Sequence, residues 1–470
     1  MTLKSSLLAF TAVLAFAAPA FAADKSGDGE PAFRELYKEL VETNTTLSAG
    51  SCTLAAERMA ARLKAVGYSD DDIHLFSTPE HPKEGGLVAV FHGTGSKKKP
   101  ILLLAHIDVV EANRADWTRD PFTLVEEGGY FYARGASDDK AMAAVFTDLM
   151  VRFKQEGYKP KRDIKLALTC GEETSGAFNG AEWLGQNHKD WIDAAYAINE
   201  GGSGQLDENG KMTAFGVQAA EKVFQNYQIE TTNPGGHSSQ PVPQNAIYDM
   251  AADLTKLSAL EFPVEFNETT RAYFTKMADI TGGETGAAMK ALLKDPNDAA
   301  ANAIVSKDKK WHSMLRTTCV ATMIQGGHAT NALPQRVDTN INCRILPGTS
   351  VESVRQVLDQ AIGDPNHHVT ILEPRSPATP SPALDPEIMA AVDAVSSKLF
   401  PGVPVLPTMT TGATDGIYTT AAGIPTYGIS GMFVDPDGGG VHGLNERIRV
   451  KSLMDGRKFQ YQFVKKLADL

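Results

Sequence analysis

The stretch Ile101-Leu102-Leu103-Leu104-Ala105-His106-Ile107-Asp108 places five apolar residues directly before a histidine and an aspartate. A run this short cannot make a helix, and unbroken apolarity marks a strand buried on both faces. Leu87–Phe91, Ile164–Leu168 and Ala194–Ile198 read the same way. Helical spacing appears around and between them: Phe33, Leu36, Tyr37, Leu40 and Val41; then Leu54, Met59, Leu63 and Val66 before Gly67; then Lys140–Phe153 and Ala177–His188. Apolar strands interleaved with helices predict an α/β domain over residues 23–220, its sheet covered on both faces.

The texture changes after residue 220. Lys222–Glu230 alternates apolar and polar residues, as a strand with one open face does. A helix is expected over Asn245–Leu257, then a polar Ala- and Lys-rich helical stretch to about residue 312, strands at Thr317–Ile324 and Arg336–Ile345, and a helix at Val351–Ile362. This block reads as a separate α+β domain over residues 221–370, left through the proline-rich segment Pro374–Pro382. The α/β texture resumes over 371–470, with helices at Pro386–Leu399 and Val450–Leu467 and a strand at Pro425–Ile429.

At the N-terminus Lys4 precedes the apolar run Leu7–Ala18, and Ala20-Phe21-Ala22 supplies an A-x-A site. That order predicts a secretory signal peptide over residues 1–22, cleaved after Ala22, and hence a periplasmic or secreted product. The chain of 470 residues carries 57 acidic against 45 basic side chains, a net charge of −12. Such acidity argues against nucleic acid or an anionic membrane as partner, since both are bound through basic patches. Four cysteines in so long a chain make no disulfide scaffold. Buried free thiols are the favoured reading of Cys52, Cys170, Cys319 and Cys343. If a pair forms, Cys319 and Cys343 are its members, because their strands can lie antiparallel.

Residues two apart on a strand share a face, so His106 and Asp108 can touch, and a carboxylate beside a metal-binding imidazole fixes its tautomer. Strand C-termini are also where open α/β sheets bind ligands. Further acid clusters follow strands or turns: Asp138-Asp139 within Arg134–Lys140, Gly171-Glu172-Glu173, and Asn199-Glu200-Gly201-Gly202. A late segment, Gly440-Val441-His442-Gly443-Leu444-Asn445-Glu446, adds a second histidine. Taken singly these have ordinary readings: a buried His–Asp pair, a helix cap, a solvated loop. Taken together they point to a cage of oxygen and imidazole donors suited to Zn²⁺, Mn²⁺ or Co²⁺. Charge counting favours two divalent ions, with one bridging Asp, two Glu and a shared hydroxide offsetting them while both histidines stay neutral.

The order H-x-D, G-x-x-D-D-K, G-E-E, N-E-G and H-G-x-N-E resembles the metallopeptidase family of aminoacylase-1, acetylornithine deacetylase and glutamate carboxypeptidase, over nearly the whole chain after the leader. The resemblance implies a two-metal peptidase fold, with helices on both faces of a mixed sheet and an inserted α+β lid or dimerisation domain. It makes Asp138 the residue bridging two metals, with His106 and Glu200 completing one site and Glu173 and His442 the other. Glu172 becomes the general base and Asp108 the residue steadying His106, and a cis peptide is expected after Asp138. In the insertion, Gly235-Gly236-His237-Ser238-Ser239 resembles the loop whose histidine polarises the scissile carbonyl. Asn331-Ala332-Leu333-Pro334 resembles a second substrate-binding segment, and Arg344 resembles the clamp for a substrate carboxylate. Thr414-Asp415 resembles a further pocket segment.

The insertion exceeds the usual lid by the helical stretch near Phe266–His312, and Ala220-Glu221-Lys222 looks like the carboxypeptidase S and N-acyl-amino-acid hydrolase branch. The implied activity is hydrolysis of an amide or peptide bond next to a free carboxylate in a small-molecule substrate. The family's lid often forms a homodimer, a contact an enlarged lid could block. Two other readings are a two-metal aminopeptidase or dipeptidase, which would leave Asn331 and Arg344 without a job, and an inactive periplasmic binding protein, which has no use for Glu172.

Overall fold

The computed structural model describes residues 29–174 and 177–470. The expected leader, residues 1–22, lies outside the described residues. Ten strands of the described chain form one mixed sheet. From one edge the order is Ile73–Phe76, Gly86–Phe91, Ile164–Thr169, Ile101–His106, Tyr196–Asn199, Thr426–Gly428, Met212–Glu221, Gly204–Leu206 and Phe433–Val434, with Val405–Thr410 also pairing with Met212–Glu221. The neighbours Ile164–Thr169, Ile101–His106 and Tyr196–Asn199 run parallel, so their C-termini emerge together.

Period-two alternation explains why these strands are apolar throughout. Ile101, Leu103 and Ala105 face a core built with the helices Glu30–Glu42, Cys52–Ala65, Lys140–Gln155, Pro386–Leu399 and Val450–Ala468. Leu102 and Leu104 face the opposite core, with Leu184, Ile192 and Ile424. Helices therefore cover both faces, as the unbroken apolar runs predict.

A second, four-stranded antiparallel sheet is ordered Thr318–Gly326, Arg336–Ile345, Val223–Thr232, Val369–Ile371. Along Val223–Thr232 residues alternate between buried and more accessible up to Thr231. Val223, Tyr227 and Ile229 pack with Met250, Val354 and Leu358 of the helices Ala246–Ser258 and Val351–Ile362. The opposite face stays polar, with Asn226, Asn340 and Asn342 joined through their side-chain amides.

The helical stretch that follows packs elsewhere. Tyr273, Phe274, Met289 and Leu292 pack with Leu406 and Met409 of the strand Val405–Thr410. Lys276 Nζ donates to the Val405 carbonyl at 2.8 Å. These helices brace the edge of the large sheet rather than enlarging the small one.

The cysteines are not free thiols. Cys52 bonds Cys170 and Cys319 bonds Cys343, at Cα separations of 6.0 and 4.1 Å. The second pair sits directly cross-strand, where antiparallel register brings side chains together. The first joins a helix start to a strand end 118 residues away, a closeness made by the fold and invisible in spacing.

Candidate active site

The three parallel strands start level with one another, with Ile101 opposite Ile164 and Tyr196, and end within two residues of each other. Their next residues therefore converge: His106 closes one strand, Glu172 and Glu173 follow the second, and Glu200 follows the third. Asp138 enters from the turn before the helix Lys140–Gln155, across a cis peptide to Asp139, as expected. His442 arrives on the glycine-rich loop before the final helix, in a left-handed backbone conformation with φ 59°.

Asp138 stands between the two histidines. His106 Nε2 lies 3.1 Å from Asp138 Oδ1 and 3.7 Å from Glu200 Oε1. His442 Nε2 lies 3.1 Å from Asp138 Oδ2 and 2.8 Å from Glu173 Oε2. The residues thus fall into two donor sets sharing Asp138: His106–Asp138–Glu200 and Asp138–Glu173–His442, each with donor atoms within 4.8 Å of one another. Ligands at about 2.1 Å in tetrahedral array around one ion stand roughly 3.4 Å apart, so this spacing fits a cation in each set.

The electrostatics agree. Burial alone would raise the Asp138 carboxyl, but hydrogen bonds from His106 and His442 overcome it and hold it below the usual range. Bonds to Asp138 and Glu173 raise His442 to about 10. Burial, with Asp138 and Glu172 nearby, pushes the Glu200 carboxyl up against the opposing pull of His106. Such crowding is costly without cations.

Asp108 supports the cage from behind. His106 Nδ1 is 3.2 Å from the Asp108 carbonyl and 3.6 Å from its carboxylate, whose other oxygen accepts the Glu173 N–H at 3.0 Å. Asp108 therefore ties the His106 strand to the Glu172-Glu173 loop. Glu172 sits with His106 and Glu173 in a third set within 4.8 Å. Burial raises its carboxyl well above the ordinary value, opposed by His106 and reinforced by Asp415 and Glu173. The buried Asp415 accepts from Thr169 Oγ1 at 2.8 Å and Asn179 Nδ2 at 2.7 Å, holding the far side of that loop.

A cavity of about 450 Å³ opens beside the cage. Glu172, Glu173 and His442 line one wall, and Phe224, Asn226 and Arg344 of the small sheet line the other. The Arg344 guanidinium lies 4.7 Å from the centre of the Phe224 ring, and no carboxylate pairs with it among the described residues. Phe224 and Asn226 were not among the expected site residues; they lie on the more accessible phase of the alternating strand, with Phe224 opposite Arg344.

His237 and Asn331 do not join this cavity. They sit on an exposed two-stranded ribbon, Gly236–His237 against Ala332–Leu333, where Ser238 N donates to the Asn331 carbonyl at 3.1 Å. Phe224 and Thr232 are at opposite ends of one strand, separated by about 26 Å at 3.3 Å per residue, and the ribbon follows Thr232.

Imidazole and carboxylate donors gathered at strand ends, open to a cleft that holds an unpaired guanidinium, are the equipment of a metallohydrolase. The chain belongs to peptidase family M20/M25/M40, whose model matches residues 102–466. It is 25% identical over 380 residues to the N-fatty-acyl-amino acid synthase/hydrolase PM20D1 of Mus musculus, covering 79% of this chain and 75% of that one. To carboxypeptidase S of Saccharomyces cerevisiae it is 29% identical over 297 residues, 60% of this chain and 51% of the other. The M20 family metallo-carboxypeptidase Sso-CP2 of Sulfolobus solfataricus shares the fold with a TM-score of 0.70 at 18% identity, covering 93% and 99% of the two chains.

Proposed function

We propose that this chain is an exported hydrolase of amide or peptide bonds next to a free carboxylate, acting on N-acyl amino acids or peptides with two divalent ions, Zn²⁺ foremost. Residues 23–220 and 371–470 form its catalytic domain and 221–370 its lid. The observation that carries the reading is the shared cavity, with Glu172, Glu173 and His442 facing Arg344 across it. An arginine fork binds a carboxylate in two parallel hydrogen bonds. A substrate anchored there presents its adjacent amide to the cage. The two disulfides suit an oxidising compartment, in line with export.

Ions held by the two donor sets would acidify a water and polarise the scissile carbonyl. Their charge would also draw the Glu172 proton off, leaving a carboxylate ready to act as base. Glu172 then takes the proton of the attacking water and returns it to the leaving nitrogen. Asp108 keeps His106 oriented through this cycle, and His237, which stands away from its own chain's cavity, would stabilise the oxyanion in a dimer that brings it to a second copy's cleft.

The test is hydrolysis of a panel of N-acyl amino acids, dipeptides and C-terminally blocked peptides, with metal content measured on the same sample. Two ions per chain and cleavage confined to substrates with a free carboxylate are expected. Cleavage of free-amino, C-terminally blocked substrates alone would turn the assignment to an aminopeptidase. Glu172→Gln should keep both ions while turnover falls about 10²- to 10⁴-fold; retained turnover removes Glu172 from the role of base.

A further inference from the structure

Glu446 is a buried acid, 1% exposed, four residues beyond His442 and outside both donor sets. Its carboxylate takes four donors. Oε2 accepts from Arg134 Nη1 at 2.7 Å and Gly135 N at 3.0 Å. Oε1 accepts from Ser137 N at 2.9 Å and Asp138 N at 3.1 Å. The whole turn from Arg134 to Asp138 is therefore folded around one side chain from the far end of the chain.

Arg134 closes the arrangement. Its second fork, Nη2, donates to the Gly443 carbonyl at 2.9 Å, next to His442. One buried ion pair thus fixes both the backbone that carries Asp138 and the left-handed loop that carries His442. The Asp138–His442–Glu173 donor set needs that separation held, because its ligands come from segments about 300 residues apart in sequence and no strand ladder joins His442 to the others.

We propose that Glu446 is a positioning residue for the metal pair: with Arg134 it sets the distance between Asp138 and His442 and so governs affinity for the ion they share with Glu173. The inference rests on the two-metal reading of the cage. Glu446→Gln keeps the side chain's size but turns half of its acceptor surface into a donor facing peptide N–H groups. Arg134→Lys keeps the positive charge but cannot reach Glu446 and Gly443 together.

Zn²⁺ affinity of each variant is measured by competition with a chromogenic chelator, and ligand geometry by the absorption spectrum of the Co²⁺-loaded protein. Glu446→Gln is expected to bind one of its two ions 10- to 100-fold more weakly, the loss that follows removal of outer partners of metal ligands. Its Co²⁺ spectrum should change, and excess Zn²⁺ should restore part of its turnover. Arg134→Lys should weaken the same ion, and it carries the test if Glu446→Gln does not fold. Phe463→Leu, a core change remote from the cage, lowers stability and leaves both affinities unchanged. Wild-type protein with fewer than two ions would overturn the two-metal reading itself. Two ions in wild type, with wild-type affinity and spectrum in the folded variants, would overturn the role of Glu446 alone.

Discussion

Glu221 shows how a single buried side chain ties stability to pH. Its carboxylate accepts from Thr414 N at 2.8 Å and Thr414 Oγ1 at 2.9 Å, just where the large sheet hands over to the small one. Burial outweighs those bonds and raises its pKa from 4.5 to about 7. The folded state thus binds this proton more tightly than the unfolded chain does. Glu221 costs nothing below pH 4.5, destabilises the fold progressively as pH rises to about 7, and by a constant amount above that. Glu221→Gln keeps an oxygen for Thr414 and removes the charge. It should raise stability above pH 7 by at most about 3 kcal/mol, less whatever screening water provides, and leave it nearly unchanged at pH 4.5. Thermal melts at the two pH values check this, and an equal shift at both would remove the charge as cause. Glu221 was legible only as part of a family-like segment. The cage residues stood out because each follows an apolar run or a glycine-rich turn, where sequence alone marks a strand end. The partners of Glu446 and Asp415 lie hundreds of residues away, and no local pattern marks them.

Among the elements, the link between Cys52 and Cys170 has the widest reach. It joins the start of the helix Cys52–Ala65 to the residue just before Gly171-Glu172-Glu173, closing a loop with a separation of 118 residues. Cys319–Cys343 spans 24 residues and joins strands already paired by their backbones. Loop-closure entropy gives the long link about 5 kcal/mol and the short one about 3.5. Replacing Cys52 and Cys170 by serine should therefore lower denaturant stability more than replacing Cys319 and Cys343, and the reverse order would show that strain or residual structure dominates. The same contrast of local and distant contacts explains which elements could be read. Long helices and apolar strands carry their own periodicity. The strand Met212–Glu221 does not, since Ala214, Gly216, Gln218 and Ala219 give it neither alternation nor a β-branched run, and only its neighbours make it a strand. Glu268–Met314 reads correctly as helical, but its docking on Leu406 and Met409 depends on a strand equally hidden in the sequence.

At the scale of the whole molecule, the position of those helices leaves one edge open. They cover the large sheet, so the outer strand of the small sheet, Thr318–Gly326, pairs on one side only, and Val320, Met323 and Ile324 are about 60% exposed. Exposed apolar edge strands invite pairing with another chain. Two copies meeting antiparallel along this edge make an isologous contact and one continuous sheet of twice the width. In such a dimer His237 and Asn331, which stand at the far end of the sheet from their own Arg344, would be placed to complete a neighbour's cleft. The wild-type chain should then sediment as a dimer, and Met323→Lys with Ile324→Lys as a monomer of low turnover. Mixing two inactive variants gives the sharper test. A dimer of one His237→Ala chain and one Glu172→Gln chain keeps one complete site, because the cage of the first receives His237 of the second. Random exchange of subunits should restore about a quarter of wild-type turnover. Recovery requires that His237 act across the interface, whereas a histidine serving its own chain leaves every mixture inactive and reduces the exposed edge to a surface without a catalytic role.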